Sequence, residues 1–391
     1  GEPISLYAAF NEHDEARYVV ESIEKAIRDG MSRSEIAILY RSNAQSRVLE
    51  EALLREKIPY RIYGGQRFFE RAEIKNAMAY LRLIQTRDND AALERVINVP
   101  ARGIGEKTVE CLRQLAREQG LSMWAALHQA VGTKAVSGRA ASALNGFVEL
   151  VDTLALKVEK LPLHSMAQLV IEESGLLAYH RDEKGEKAQA RVENLEELVS
   201  AARAFDSYSE EEDDIQSPLA AFLDHASLEA GEQQAGDHED SVQLMTLHSA
   251  KGLEFPLVFL PGWEEGVFPS QRSIDEKGEK GLEEERRLAY VGITRAMQQL
   301  VITYAETRRL YGSETYNKVS RFVREIPPAL VQEVRLSNTV TRSFSGKSMS
   351  GSSLFDGAGV PETPFNLGQR VRHSLFGEGT ILNFEGSGAQ A

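Results

Sequence analysis

Long apolar runs, cysteine pairs and positive charge are what this chain of 391 residues lacks. No stretch approaches the roughly 20 apolar residues that span a bilayer, so a membrane protein is excluded on this reading. A single cysteine, Cys111, excludes an internal disulfide and any zinc site built on cysteine pairs, and it fits a reducing compartment. The opening Gly1-Glu2-Pro3-Ile4 has no basic stretch followed by an apolar core, so nothing marks the chain for secretion and a cytoplasmic place is expected. With 45 basic against 59 acidic residues the net charge is −14, which rules out coating nucleic acid by bulk charge and confines any DNA contact to a focused surface.

A phosphate-binding loop is also missing. Ser345-Gly346-Lys347-Ser348 resembles the end of one, but the required first glycine would fall at Thr341, no strand precedes it, and no other Gly-x-x-x-x-Gly-Lys-Ser/Thr occurs. No strand ends in paired acidic residues suited to magnesium, and no metal site is expected.

What is present alternates. Ile4 to Phe10 reads as a strand, Asp14 to Asp29 as a helix with Ala16, Val19, Val20 and Ile23 on one face, and Ile36 to Tyr40 as a buried strand. A helix near Ala44 to Lys57 and a strand near Tyr60 to Tyr63 continue the rhythm, which predicts a parallel sheet covered by helices. From about Glu70 to His238 strand signals vanish and the segment reads as all-helical, its acidic run Asp206 to Asp214 as a solvated loop. Strands return at Val242 to Thr246, Leu257 to Leu260 and Leu300 to Tyr304, with a helix predicted over Glu283 to Ala296. The fold class is therefore α/β, one parallel-sheet domain interrupted by a helical insertion. Ser337 to Pro364 is Ser- and Gly-rich and reads as a linker, and Gly368 to Ile381 as a hairpin opening a small β-barrel that too few residues follow to close.

Three stretches carry candidate chemistry. Thr246-Leu247-His248-Ser249-Ala250-Lys251-Gly252-Leu253-Glu254-Phe255 lies at the carboxyl end of a strand, where parallel sheets bind ligands. Its small residues admit a phosphate to the backbone, Thr246, His248 and Lys251 offer donors, and Glu254 an acceptor for sugar hydroxyls; from composition alone an ordinary strand-to-helix turn is the better reading. In Glu283 to Ala296, helical spacing puts Leu288, Val291 and Arg295 on one stripe. Arg295 is then either a last-turn arginine answering the helix dipole or an arginine finger for a γ-phosphate. In Pro100 to Thr108, Gly103 and Gly105 free backbone N–H groups while Lys107 and Thr108 flank a helix start, which suits a DNA backbone phosphate or a plain tight turn.

Taken together, Thr246–Phe255 and Glu283–Ala296 resemble the last two signature motifs of superfamily 1 DNA helicases of the UvrD, PcrA and Rep group. Tyr40-Arg41-Ser42-Asn43-Ala44-Gln45-Ser46-Arg47 and Gly64 to Arg71 are similar to two more of its motifs, and the UvrD branch is the most similar. The resemblance implies a second RecA-like domain at 1–70 and 239–325, a duplex-contacting helical insertion at 71–238, a linker at 326–363 and the start of a Tudor-like domain at 364–391. It implies ATP with Mg2+ held mainly by a first RecA-like domain absent from this sequence, single-stranded and duplex DNA as partners, and 3′ to 5′ movement. Mismatch-repair and excision-repair proteins and RNA polymerase are further partners it implies. Carried over residue by residue, Arg295 touches the γ-phosphate, Glu254 and Gly252 the nucleotide, Thr246, His248 and Lys251 phosphates of the tracked strand or nucleotide, and Arg41 the tracked strand, with Gly103, Gly105, Lys107 and Thr108 on duplex. The motor reading expects Arg295 to face the sheet edge that bears the Thr-x-His turn. It expects the chain alone to hydrolyse no ATP. A non-catalytic DNA-binding and docking module is the alternative; a helicase-nuclease would need a nuclease domain for which the chain has no room.

Overall fold

A computed structural model describes residues 2–209, 217–231, 235–236, 239–310, 313–334, 370–373 and 377–380. The chain divides into two units, Gly1–Ser337 and Asn338–Ala391.

In the first unit β1 (Ile4–Ala9), α1 (Glu12–Arg28), β2 (Ile36–Tyr40), α2 (Ser46–Arg55) and β3 (Tyr60–Ile62) open an α/β layer. The Asn11 side chain accepts from the His13 and Asp14 N–H groups, which sets where α1 begins. All five residues of β2 are buried, as a strand covered by helices on both faces requires. Nine helices follow among the described residues: α3 (Ala72–Gln85), α4 (Asp90–Val96), α5 (Glu106–Gln119), α6 (Met123–Gly132), α7 (Gly138–Val158), α8 (Leu163–Glu173), α9 (Leu176–Asp182), α10 (Glu186–Ser209) and α11 (Pro218–Gly231). The chain then returns through β4 (Val242–Thr246), β5 (Phe255–Leu260), α12 (Gln271–Lys277), α13 (Glu279–Ile293), β6 (Ala296–Ala305), the hairpin β7 (Thr307–Leu310) and β8 (Ser313–Tyr316), α14 (Arg321–Arg324) and β9 (Val331–Glu333). In the second unit β10 (Arg370–His373) pairs antiparallel with β11 (Gly377–Thr380), a hairpin where the sequence predicts one.

The sheet has the order β3-β4-β2-β5-β6-β1-β9, parallel throughout. The α/β class with a RecA-like parallel sheet and a helical insertion is therefore what the chain adopts. One apolar core joins α1 and α2 to one face of the sheet through Val19, Ile23, Ile38 and Leu53, and a second joins α13 to the other through Leu39, Met245, Leu260 and Leu288. The helices from α3 to α11 close on a separate core around Tyr80, Leu112, Phe147 and Phe222. Full burial of side chains this large is worth roughly 1.5–3 kcal/mol each.

The junction between helical and sheet layers is polar instead. Arg71 donates to Asn43 O at 2.9 Å, Asn194 Oδ1 at 2.8 Å and Ser46 Oγ at 2.6 Å, while Arg47 pairs with Glu197 at 2.6 Å and Ser42 bonds Glu193. Two sequence expectations change here. Val331–Glu333 adds a strand beside β1 within the stretch 326–363 read as linker, because the Ser- and Gly-rich composition sets in only after it. Asp206, the first residue of the acidic run, lies in α10 and accepts from the His164 N–H at 3.3 Å. Residues 210–214, the Ser345–Ser348 decoy and most of 364–391 lie outside the described residues.

Candidate functional site

Parallel strands that pair in register end together. Tyr40 stands opposite Thr246, the last residues of β2 and β4, so Arg41 and the Thr-x-His turn leave the sheet side by side at its carboxyl edge. The turn is held locally: Leu247 N–H donates to Tyr40 O at 2.9 Å, and Ser249 N–H to Thr246 Oγ1 at 3.2 Å. His248 and Ser249 are exposed. A cavity of about 540 Å³ opens there, bounded by Arg41, Thr246 and His248, by α10 residues such as Gln189 and Glu193, and by α12 and α13.

Arg41 is not idle in this cavity. Its Nε and Nη2 form a two-pronged pair with Glu285 at 2.7–3.1 Å, and Glu285, only 3% exposed, also accepts from the Ser270 N–H at 3.1 Å. A charge taken this far from water needs such a partner. Although His248 as a whole is exposed, desolvation of its ring holds it below the usual histidine range, and the Arg41 guanidinium adds to the depression.

From Leu247 the chain runs alongside α13 to the opposite edge of the sheet, where Phe255 begins β5. The approach is close: a Cβ on Gly292 would stand 2.7 Å from the Leu247 side chain. Gly252 takes φ +88°, a left-handed conformation that glycine adopts without strain. Lys251, Gly252 and Glu254 are exposed.

Arg295 departs from its expected place. Helix α13 ends at Ile293 with Thr294 as its C-cap, so Arg295 lies beyond the helix, and Phe255 N–H donates to its carbonyl at 2.9 Å where β5 and β6 begin. It therefore occupies the amino edge of the sheet, opposite the edge that bears Thr246 and His248. The reason is topological: a crossover helix between parallel strands must return the chain to the starting edge before the next strand. The guanidinium donates to Val291 O at 3.0 Å, Leu253 O at 2.8 Å and Thr294 Oγ1 at 3.0 Å, all of them neutral. Two residues C-terminal to the helix, the arginine still answers the α13 dipole while its charge stays uncompensated by a carboxylate at these contacts.

In the helical layer the Pro100–Thr108 stretch joins α4 to α5. Asn98 Oδ1 accepts from the N–H groups of Arg102 at 2.7 Å and Ile104 at 3.2 Å, Ile104 is buried, and Gly103 takes φ +82°. Gly105 caps α5, and Lys107 is exposed with Thr108 half-buried beside it. Arg102 turns inward, donating to Ser174 O at 2.9 Å and lying over the Tyr80 and Phe147 rings, so the exposed basic residue of the hairpin is Lys107.

Sequence reasoning missed the ion cluster behind the β7–β8 hairpin. Arg308 pairs with both Glu15 and Glu264; Glu15 accepts from Thr303 Oγ1 at 2.7 Å and the Gly262 N–H at 2.8 Å, and Glu264 from the Ala305 N–H at 2.6 Å. Its members are far apart in sequence and each looks like an ordinary surface charge. Glu285 was missed for a related reason: among Glu283, Glu284 and Glu285 only the fold turns one inward.

Comparison with known proteins shows the family. Residues 1–307 match the profile of the UvrD-like helicase C-terminal domain. DNA helicase II of Escherichia coli (strain K12) is 60% identical over 388 residues, covering 99% of this chain and 53% of that protein. DNA helicase II of Haemophilus influenzae is 52% identical over 387 residues, 99% of this chain and 52% of that protein. The ATP-dependent DNA helicase PcrA of Bacillus subtilis (strain 168) is 39% identical over 399 residues, 99% of this chain and 53% of that protein. The chain thus spans about half the length of the curated relatives it matches. No helix among the described residues is long and apolar enough to cross a membrane.

Proposed function

We propose, from the premise that this chain belongs to the UvrD-like helicase C-terminal domain family, that it supplies the second motor half of an ATP-dependent DNA helicase acting in repair and replication. Residues 1–70 and 239–325 act as the second RecA-like domain, 71–238 as the duplex-binding insertion, and the stretch after 364 as the start of a Tudor-like domain. The observation that carries the reading is the family match over residues 1–307; Arg295 misses the edge that the motor reading expected, and what still suits it to a nucleotide is a fork held by neutral oxygens beside the exposed Gly252 and Glu254.

That donor set fits a nucleotide. Arg295 would meet the γ-phosphate, Glu254 the ribose hydroxyls, and Gly252 a close-lying phosphate or sugar. Bound ATP with Mg2+ supplies the phosphoanhydride to be cleaved, and the first RecA-like domain supplies its phosphate loop and metal ligands. The work of this chain is positional: α13 leads into Arg295 just past its carboxyl end and grips Arg41 through Glu285 near its middle. Arg41, Thr246, His248 and Lys251 take the tracked single strand, and Gly103, Gly105, Lys107 and Thr108 take a duplex phosphate, in 3′ to 5′ movement.

An arginine finger contributes roughly three to five orders of magnitude to hydrolysis but only completes a site assembled elsewhere. The full-length protein should therefore show DNA-stimulated ATPase that Arg295→Ala lowers about 10³-fold or more. This chain alone should show none. Unimpaired hydrolysis by the Arg295→Ala protein overturns the finger assignment and favours the binding-module reading, and robust hydrolysis by the isolated chain overturns both.

A further inference from the structure

A second basic site lies in the helical layer, apart from the 98–108 hairpin and from Arg295. On α3, Lys75, Met78, Ala79 and Arg82 follow the i, i+3, i+4, i+7 spacing and so share one stripe. That stripe faces Arg95 of α4 and the alanines of α4 and α11 across a pocket of about 250 Å³ whose apolar wall includes Phe69 and Met78. Small side chains on the facing helices leave the space open. No carboxylate is among the described residues that line it.

In a chain of net charge −14 this is unusual, and the treatment of arginine elsewhere in the molecule makes the contrast sharper. The buried arginines Arg47, Arg67, Arg71 and Arg308 each meet a glutamate. Half-buried Arg82 donates to a neutral atom, Ser227 Oγ, at 2.8 Å. Burial holds it below the usual arginine range, the like charge of Arg95 adds to that, and the attraction of Asp224 is a smaller influence. Arg95 is likewise depressed by burial. Two guanidiniums that repel one another beside an ammonium form a site whose electrostatic energy falls when an anion enters. The cationic rim suits an oxyanion with several acceptor oxygens, which a guanidinium fork and an ammonium satisfy together. The alanine, methionine and phenylalanine walls suit the carbon body attached to it.

We infer that this pocket is a phosphate subsite in which Lys75, Arg82 and Arg95 hold one phosphate group and the apolar wall takes the sugar or other carbon moiety that bears it. The phosphate comes either from a DNA backbone or from a free phosphate compound; the chemistry is shared and the sources are separable.

The test uses the full chain with two probes, a fluorescently labelled 3′-tailed duplex followed by anisotropy across a salt series and inorganic pyrophosphate followed by calorimetry. Arg82→Ala, Arg95→Ala and Lys75→Ala are compared with Lys25→Ala, which removes an exposed charge from α1. Arg95→Ala should weaken whichever probe binds about fivefold or more. If the duplex is the source, each pocket variant also lowers the slope of log affinity against log salt by about one unit. Lys25→Ala should change neither. Loss confined to the duplex assigns the subsite to backbone phosphate, and loss of pyrophosphate binding assigns it to a free compound. Should Arg82→Ala melt early, the variants of the exposed Arg95 and the partly exposed Lys75 decide the matter. Unchanged affinity for both probes in Arg95→Ala and Lys75→Ala, or an equal loss in Lys25→Ala, overturns the inference.

Discussion

The two edges of the central sheet treat charge in opposite ways. At the carboxyl edge cations are answered by carboxylates: Arg41 by Glu285, Arg308 by Glu15 and Glu264. At the amino edge Arg295 rests on two backbone carbonyls and a hydroxyl. A guanidinium neutralised by glutamate stabilises the fold and must exchange partners before it meets a phosphate. One held by neutral oxygens keeps its full charge for whatever anion approaches. The comparison separates arginines that build the protein from those left over for ligands, and the phosphate subsite of the helical layer falls in the second group.

Charge removal should therefore cost folding at the closed edge and chemistry at the open one. The largest structural effect is expected for Glu264→Ala, because Glu264 is wholly buried and its loss leaves Arg308 with one partner. Breaking a buried pair costs about 3–5 kcal/mol, which urea unfolding of the chain would register as a lower midpoint. A midpoint unchanged within error would mean that the cluster is not structural.

A middling effect is expected at Arg41. Glu285→Gln keeps the shape of the pair and removes its charge, so oligothymidylate binding should tighten about two- to fivefold with a steeper salt dependence. Weaker binding would show that Glu285 aims Arg41 rather than masking it, and the contrast between the edges would break there. The smallest effect concerns pH. A histidine held below its usual value is neutral at pH 7, and because the unfolded chain takes up the proton first, the contribution of His248 to stability falls as pH drops below about 6.5. A strand phosphate reverses that balance by favouring the imidazolium. Between pH 7.5 and 5.5 affinity for oligothymidylate should therefore rise about twofold, and His248→Gln should flatten the response. An identical rise in that variant would remove His248 from the strand contacts.

Much of the fold is legible in the linear pattern. The apolar run Ile36–Tyr40 could only be a covered strand, and the loss of period-two patterning after Glu70 marks where helices displace the sheet. Thr246 and His248 name their edge because a turn after a buried parallel strand can lie nowhere else, but the rest of the stretch crosses to the amino edge at Phe255, which its composition does not show. The end of α13 is not legible. Thr294, Arg295 and Ala296 continue a helical pattern acceptably, yet the need to start β6 in register with Phe255 stops the helix at Ile293.

By itself the sequence determined the parallel sheet, its helical interruption and the chemistry available along it, because periodicity and motif spacing are local properties of the chain. Only the tertiary structure decided which of three adjacent glutamates meets Arg41, that Arg295 faces the edge opposite Thr246, and that Lys75, Arg82 and Arg95 converge. Those outcomes depend on which helices and strands become neighbours, and a linear pattern holds no record of a charge meeting a carboxylate across 244 residues or a carbonyl across 42.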